Sequence, residues 1–169
     1  MLPSRPIEVL RRIDTRLNGT LVDWAVTGSL DMALQGVPIE VHDFDIQTDK
    51  GGAYQIERRF AEHVVKPVRF SASEGMRSYF GKLEIDGIEV ETMGDLQKRS
   101  DDRDWEDPVD VRRHRRWVQD GDISVLVLSL EYQYRAYARL GRTEKADLLR
   151  SWLQGKNSDG QNQARSSGW

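Results

Sequence analysis

The sequence predicts an α/β chain of the α+β kind: a mixed, largely antiparallel sheet flanked by helices and closed at its C-terminal end by a helical pair. Three observations carry this expectation. Phe80 to Ile85 and Ile88 to Thr92 alternate on either side of Asp86-Gly87, the composition of a two-residue type I′ hairpin. Short strand-like and helix-like segments elsewhere alternate irregularly, which speaks against a clean doubly wound parallel sheet. Two helical patterns then follow one another near the end, separated by Gly141.

In chain order, Pro6 suits a first helical position, and Ile7, Leu10, Ile13 and Leu17 form an apolar stripe that Asn18-Gly19 ends. Trp24 to Thr27 reads as a short buried strand running into Gly28-Ser29, and Leu30 to Gln35 as a short helix stopped by Gly36. Val41 to Ile46 reads as a strand whose Asp43 and Asp45 share one face, with Phe44 and Ile46 on the other. Asp49 to Gly52 is expected to turn, and Ala53, Ile56 and Phe60 mark a helix. Strand pieces at Val64-Val65 and Val68 to Phe70 are interrupted by Pro67. Beyond the hairpin, residues 93–108 read as a polar loop anchored by Trp105. Ile123 to Leu128 is a further strand, Ser129 caps a helix that ends at Gly141, and Thr143 caps the second of the pair.

The 169 residues suffice for one domain, placed at 1–155 with a core over 5–120 and helices over 129–154. Residues 156–169 are rich in Gly, Ser, Asn and Gln and read as a disordered tail. No apolar run approaches the length of a membrane span, no secretory signal is visible, and cysteine is absent, so a cytoplasmic location is expected. The net charge of −3 argues against a dedicated duplex-binding surface. Arg112, Arg113, His114, Arg115 and Arg116 form one basic cluster, read first as a solvated helix face and second as a phosphate or RNA contact.

Asp-x-Asp occurs three times among 17 aspartates, so the triplet alone means little. Asp102/Asp104 and Asp120/Asp122 fall in polar loop or turn, where carboxylates are solvated. Asp43 and Asp45 alternate with apolar residues, and two acids on one face of a packed strand repel unless a cation neutralises them. Carboxylate oxygens suit magnesium. Gly28-Ser29, directly after a buried strand, offers a tight turn whose amides and hydroxyl can hold a phosphate. A third carboxylate is expected from Glu89 or Glu91, which share a face of the hairpin's second strand; an exposed edge strand would leave all of these acids in water.

The order Thr27-Gly28-Ser29, thirteen intervening residues, then Asp43-Phe44-Asp45-Ile46 resembles the nucleotidyltransferase superfamily that includes DNA polymerase β. The wording is similar to small stand-alone members, the lincosamide and aminoglycoside adenylyltransferases and the minimal or AbiEii-type nucleotidyltransferases, over residues 5–155. The resemblance implies the nucleotidyltransferase fold and transfer of a nucleoside monophosphate from a triphosphate, ATP by expectation, to a hydroxyl acceptor. Asp43, Asp45 and Glu91 would be the catalytic, magnesium-binding acids; Glu91 is taken over Glu89 because Met93-Gly94-Asp95 follows it. Gly28, Ser29, Lys98 and Arg99 would meet the triphosphate, with the last two alternatively a solvated loop. Tyr132, Tyr134 and Tyr137 could stack on a base, and Lys145 could reach a phosphate or pair with a helix acid. The acceptor class, small molecule, RNA or protein, stays open. The small size leaves little room for a separate acceptor domain. Alternatives are a catalytically silent, antitoxin-like module of the same fold that binds a protein, and an RNA binder using the arginine cluster.

Overall fold

The computed structural model describes residues 2–101 and 103–166, the last nine of these as backbone only. Helix α1, Ser4–Leu17, buries Val9, Leu10, Ile13 and Leu17. It starts two residues before Pro6, which the first turn tolerates because its N–H groups have no helical acceptor. Strand β1, Trp24–Thr27, is buried along its length and passes without a loop into α2, Gly28–Leu34. Strand β2 is Asp45–Thr48, shorter and later than the 41–46 expected. Its neighbour β1 reaches only as far as the pair Thr27 and Asp45, so residues 41–44 have no β1 residues to pair with.

Helix α3, Lys50–Arg59, begins inside the expected turn because the Asp49 carboxylate accepts from the Gly52 N–H at 2.6 Å. Strands β3, Val64–Ala72, β4, Met76–Ile85, and β5, Ile88–Lys98, form a meander. Pro67 does not split β3; it sits on the outermost strand, where a missing N–H is tolerated, beside a break in register between Lys66 and Arg69. Asp86 and Gly87 both have positive φ, as a type I′ turn requires. β5 runs on through residues read as loop, because a longer β4 pairs with it from Ile85 back to Met76.

The basic cluster is not one helix face. It divides between a single turn, α4, Val111–His114, and strand β6, Arg115–Asp120, which Gly121 joins to β7, Ile123–Leu128. One sheet results, in the order β3-β4-β5-β2-β1-β7-β6. The β2–β5 and β1–β7 pairs are parallel and the other four antiparallel. Helix α5, Leu130–Arg139, is capped by the Ser129 hydroxyl, which accepts from the Tyr132 N–H at 3.2 Å. Gly141 turns the chain with φ +71° into α6. α6 spans Thr143–Ser166, past position 156 where the tail was expected to begin.

Two apolar clusters hold these layers together. The larger packs α1 and α3 on the sheet through Leu10, Ile13, Ile46, Ile56 and Val127. The second joins Met32 of α2 to Leu130, Tyr137, Ala146 and Leu149, and so docks the helical pair beside the start of α2.

Close packing of α3 on β5 depends on Gly94, where a Cβ would lie 2.7 Å from the Asp49 carbonyl oxygen and 2.9 Å from the Ala53 Cβ. Gly94→Ala is therefore expected to destabilise the fold by about 1–3 kcal/mol through overpacking. Urea denaturation with an unchanged midpoint would contradict this.

Candidate active site

Three adjacent strand ends build the site. β1 ends at Thr27, whose register partner on β2 is Asp45, and Asp45 in turn lies opposite Glu91 of β5. Asp43 precedes β2, and the Glu91 N–H donates to the Phe44 carbonyl at 2.9 Å, which extends the pairing by one residue. Phe44 turns into the core, so Asp43 and Asp45 face outward together. A cleft of about 230 Å³ is lined by Asp43, Asp45 and Glu91 on the sheet side, and by Gly28, Gln133, Tyr137 and Arg142 on the helical side.

Asp45 is its electrostatic centre. Burial, then the charge of Asp43, then that of Glu91, raise its carboxyl to about 7, with Lys145 opposing. Its Oδ1 is buried without a hydrogen-bond partner. Its Oδ2 lies where a Cβ on Gly28 would come within 2.7 Å, and Gly28 adopts φ +77°. Glycine is thus required here twice, by conformation and by space.

Ser29 does not line the cleft. It is buried, and its hydroxyl accepts from the backbone N–H of His42 at 2.9 Å and of Asp43 at 3.0 Å. The hydroxyl expected to meet phosphate instead anchors the segment that carries Asp43. The Gly28 N–H is engaged as well, donating to Gln133 Oε1 at 3.0 Å.

Glu91 faces the cleft with Lys82 at 3.6 Å, whereas Glu89 lies outside the lining and pairs with Lys82 at 3.3 Å. Lys98 reaches the cleft wall as a buried amine that donates to the Tyr132 hydroxyl at 2.7 Å, and burial pushes its pKa down. Arg99 is not brought to the cleft. It donates to the Glu74 carbonyl and stacks 4.5 Å from the Trp105 ring, whose anchoring role it shares with Arg77. β5 ends at Lys98, and the chain just beyond it carries Arg99 to Trp105.

Of the tyrosines, Tyr132 and Tyr137 line the cleft and Tyr134 packs in the second cluster. Lys145 stands over the Tyr137 ring at 5.2 Å, and its charge reaches Asp45. Sequence reasoning did not single out Arg142 or Gln133, since nothing local assigns either a role. Only the docking of the helical pair brings them to the acids.

Among the described residues no three acidic or imidazole side chains meet at metal-ligand spacing. The donor set nonetheless fits a magnesium ion. Such an ion takes one or two carboxylates and completes its shell with water and substrate phosphate, and a buried carboxylate oxygen without a partner is the natural first ligand.

The profile of the aminoglycoside-2''-adenylyltransferase family matches residues 9–150. A crystal structure of a Thermotoga maritima protein, provisionally described as a nucleotidyltransferase, is 56% identical, with 92% of this chain and 96% of that chain covered at a TM-score of 0.80. The lincosamide antibiotic adenylyltransferase LnuA, solved with lincomycin bound, shares the fold at a TM-score of 0.57, with 12% identity over 89% of this chain and 98% of that one. No curated protein matches. No described helix is long and apolar enough to cross a membrane.

The raised carboxyl of Asp45 gives stability a pH dependence of known sign. Between about pH 4 and 7 the folded protein keeps a proton at Asp45 that the unfolded chain has released, so the group's contribution is complete below that window and is lost as pH rises through about 7. In thermal melts without divalent cations, Asp45→Asn should therefore gain on the parent from pH 5 to pH 8. A difference in Tm that stays constant over this range would refute the assignment.

Proposed function

The chain belongs to the aminoglycoside-2''-adenylyltransferase family, and from that premise we propose that it transfers a nucleoside monophosphate, from ATP, to a hydroxyl acceptor with magnesium. The observation that carries this reading is the partnerless buried oxygen of Asp45 between two further acids at the end of β2. Such an arrangement costs stability unless a cation enters, and it is what a metal–triphosphate complex would relieve.

Asp43 and Asp45 would hold the metal, and Glu91 would complete the acidic wall and accept the proton of the acceptor hydroxyl. Bound there, magnesium would supply charge stabilisation to the phosphoryl oxygens as pyrophosphate leaves. Ser29 would act at one remove, by fixing the backbone of Asp43. Gly28 would give the acids room. Arg142, on the opposite wall, and Lys145, over the Tyr137 ring with its charge felt at Asp45, would be the cations that meet the triphosphate, the task first expected of Lys98 and Arg99; among the described residues neither has a carboxylate within ion-pair distance. Lys98 would instead stiffen the wall through Tyr132. Use of ATP places the reaction in the cytoplasm.

Two outcomes are expected. With magnesium and a non-hydrolysable ATP analogue at a hundred times the dissociation constant, the parent should gain roughly 5–10 °C in Tm. Asp43→Asn/Asp45→Asn should match or exceed the unliganded parent and gain little. A double variant that unfolds far more easily without ligand would show that the acids serve the fold instead. Separately, Arg142→Gln/Lys145→Met should weaken binding of the same analogue by roughly tenfold or more and steeply reduce its salt dependence, with Tm unchanged. Calorimetric titrations at two salt concentrations check this, and parental affinity would exclude the two cations.

A further inference from the structure

A chain of hydrogen bonds runs from the cleft into the core. Gln133 is 2% exposed. Its Oε1 accepts from the Gly28 N–H at 3.0 Å and from the Thr27 hydroxyl at 3.4 Å, and its Nε2 donates to Asp31 Oδ2 at 2.7 Å. Asp31 is fully buried, and its Oδ1 accepts from Gln35 Nε2 at 2.6 Å. That same Gln35 nitrogen donates to the Leu128 carbonyl at 3.0 Å. Burial pushes the Asp31 carboxyl well up, while the bonds from Gln35 and the Leu128 backbone, and then the charge of Arg116, pull it back.

Each amide in this chain has one workable orientation. Gln35 must donate to a carbonyl, so it presents a donor to Asp31. Gln133 must accept from a backbone N–H, so it too presents a donor to Asp31. Only a carboxylate accepts from both sides at once.

We propose that Asp31 and Gln133 are positioning residues of the nucleotide cleft: the buried carboxylate sets the Gln133 amide so that its carbonyl grips the Gly28 N–H and fixes the Gly28 turn against Asp45. This rests on the nucleotide-transfer reading. The turn has little slack, because Gly28 lies where even a Cβ would strike Asp45 Oδ2. A Gly28 backbone free to shift would change the room at Asp45 Oδ2 and so the setting of the carboxylate whose other oxygen, Oδ1, is buried without a partner. The grip comes from α5, so it exists only when the helical pair is docked.

An exchange of the two polar groups tests this. Asp31→Asn must turn its amide donor on either Gln35 or Gln133, and Gln133→Glu sets two carboxylates against each other. Each single variant should lower Tm by roughly 3–10 °C. Asp31→Asn/Gln133→Glu restores every bond: the introduced asparagine accepts from Gln35 and donates to the introduced glutamate, whose other oxygen accepts from Gly28. The double variant should regain most of the lost Tm. Asp31→Asn, which loosens the Gln133 grip on Gly28, should bind a magnesium–triphosphate analogue at least roughly tenfold more weakly than the parent at a temperature where both are folded, and the double variant should regain most of that affinity. An Asp31→Asn protein as stable as the parent, or a double variant no better than the singles, would overturn the assigned orientations. Parental affinity in Asp31→Asn, or a double variant whose stability returns without its affinity, would overturn the positioning role. A parent that binds no triphosphate overturns the nucleotide reading itself, and is told apart because the pattern of melting temperatures then holds alone.

Discussion

The carboxylate of Asp45 is held where neither its charge nor its geometry is comfortable, and much of the architecture follows from keeping it there. Register places it between Thr27 and Glu91, a glycine gives it space, and the Ser29 hydroxyl draws Asp43 toward the same face. The charge of Asp43 on the same face opposes ionisation of Asp45, on top of the cost of its burial. A fold selected for stability alone would replace one of them. Their retention, with one oxygen buried and unpaired, is the kind of local conflict that marks a functional site.

The sheet supplies only half of the cleft. Its acids come from β2, with the segment just before it, and from β5, but the facing wall comes from α5 and the turn into α6, far along the chain. The second apolar cluster docks this wall on α2, the helix that Gly28 begins. Apart from buried Lys98 and the Lys82 that pairs with Glu91, the sheet side carries the acids, and the helical pair brings Arg142 and Lys145 toward them. A metal–triphosphate complex carries both signs and would bridge the two layers, which gives a reason for sorting them in this way.

How much of this was legible in the sequence depended on whether a signal was local. Asp86-Gly87 between alternating runs specifies its own turn, and Asp43-Phe44-Asp45 specifies which residues face together, because period-2 patterning survives even where β2 begins later than expected. The lysine and arginine after the hairpin were read as loop, while pairing with β4 carries the strand through Lys98 to the cleft, and Arg99 just beyond it stacks on Trp105. The basic cluster misled in the opposite direction, since tertiary pairing with β7 drew half of it out of a helix. Ser29 stands in the expected place, yet the direction of its hydroxyl is decided by two backbone amides thirteen and fourteen residues away.

Asp31 and Gln133 show why a functional residue can leave no mark in sequence. An aspartate on a short helix reads as surface, and a glutamine among tyrosines reads as neutral. Their meaning arises from a buried chain in which each donor and acceptor is fixed by the next, ending at backbone groups of Gly28 and Leu128 that cannot change identity. Such a chain tolerates few substitutions, because removing one member leaves the desolvated polar groups of its immediate neighbours without a partner. It also ties the cleft to the docking of α5: the bond that holds Gly28 in place is lost with the contact that holds the helical pair. The docking of the C-terminal pair, held by its apolar cluster, and the geometry at Asp45 are thus coupled through these hydrogen bonds.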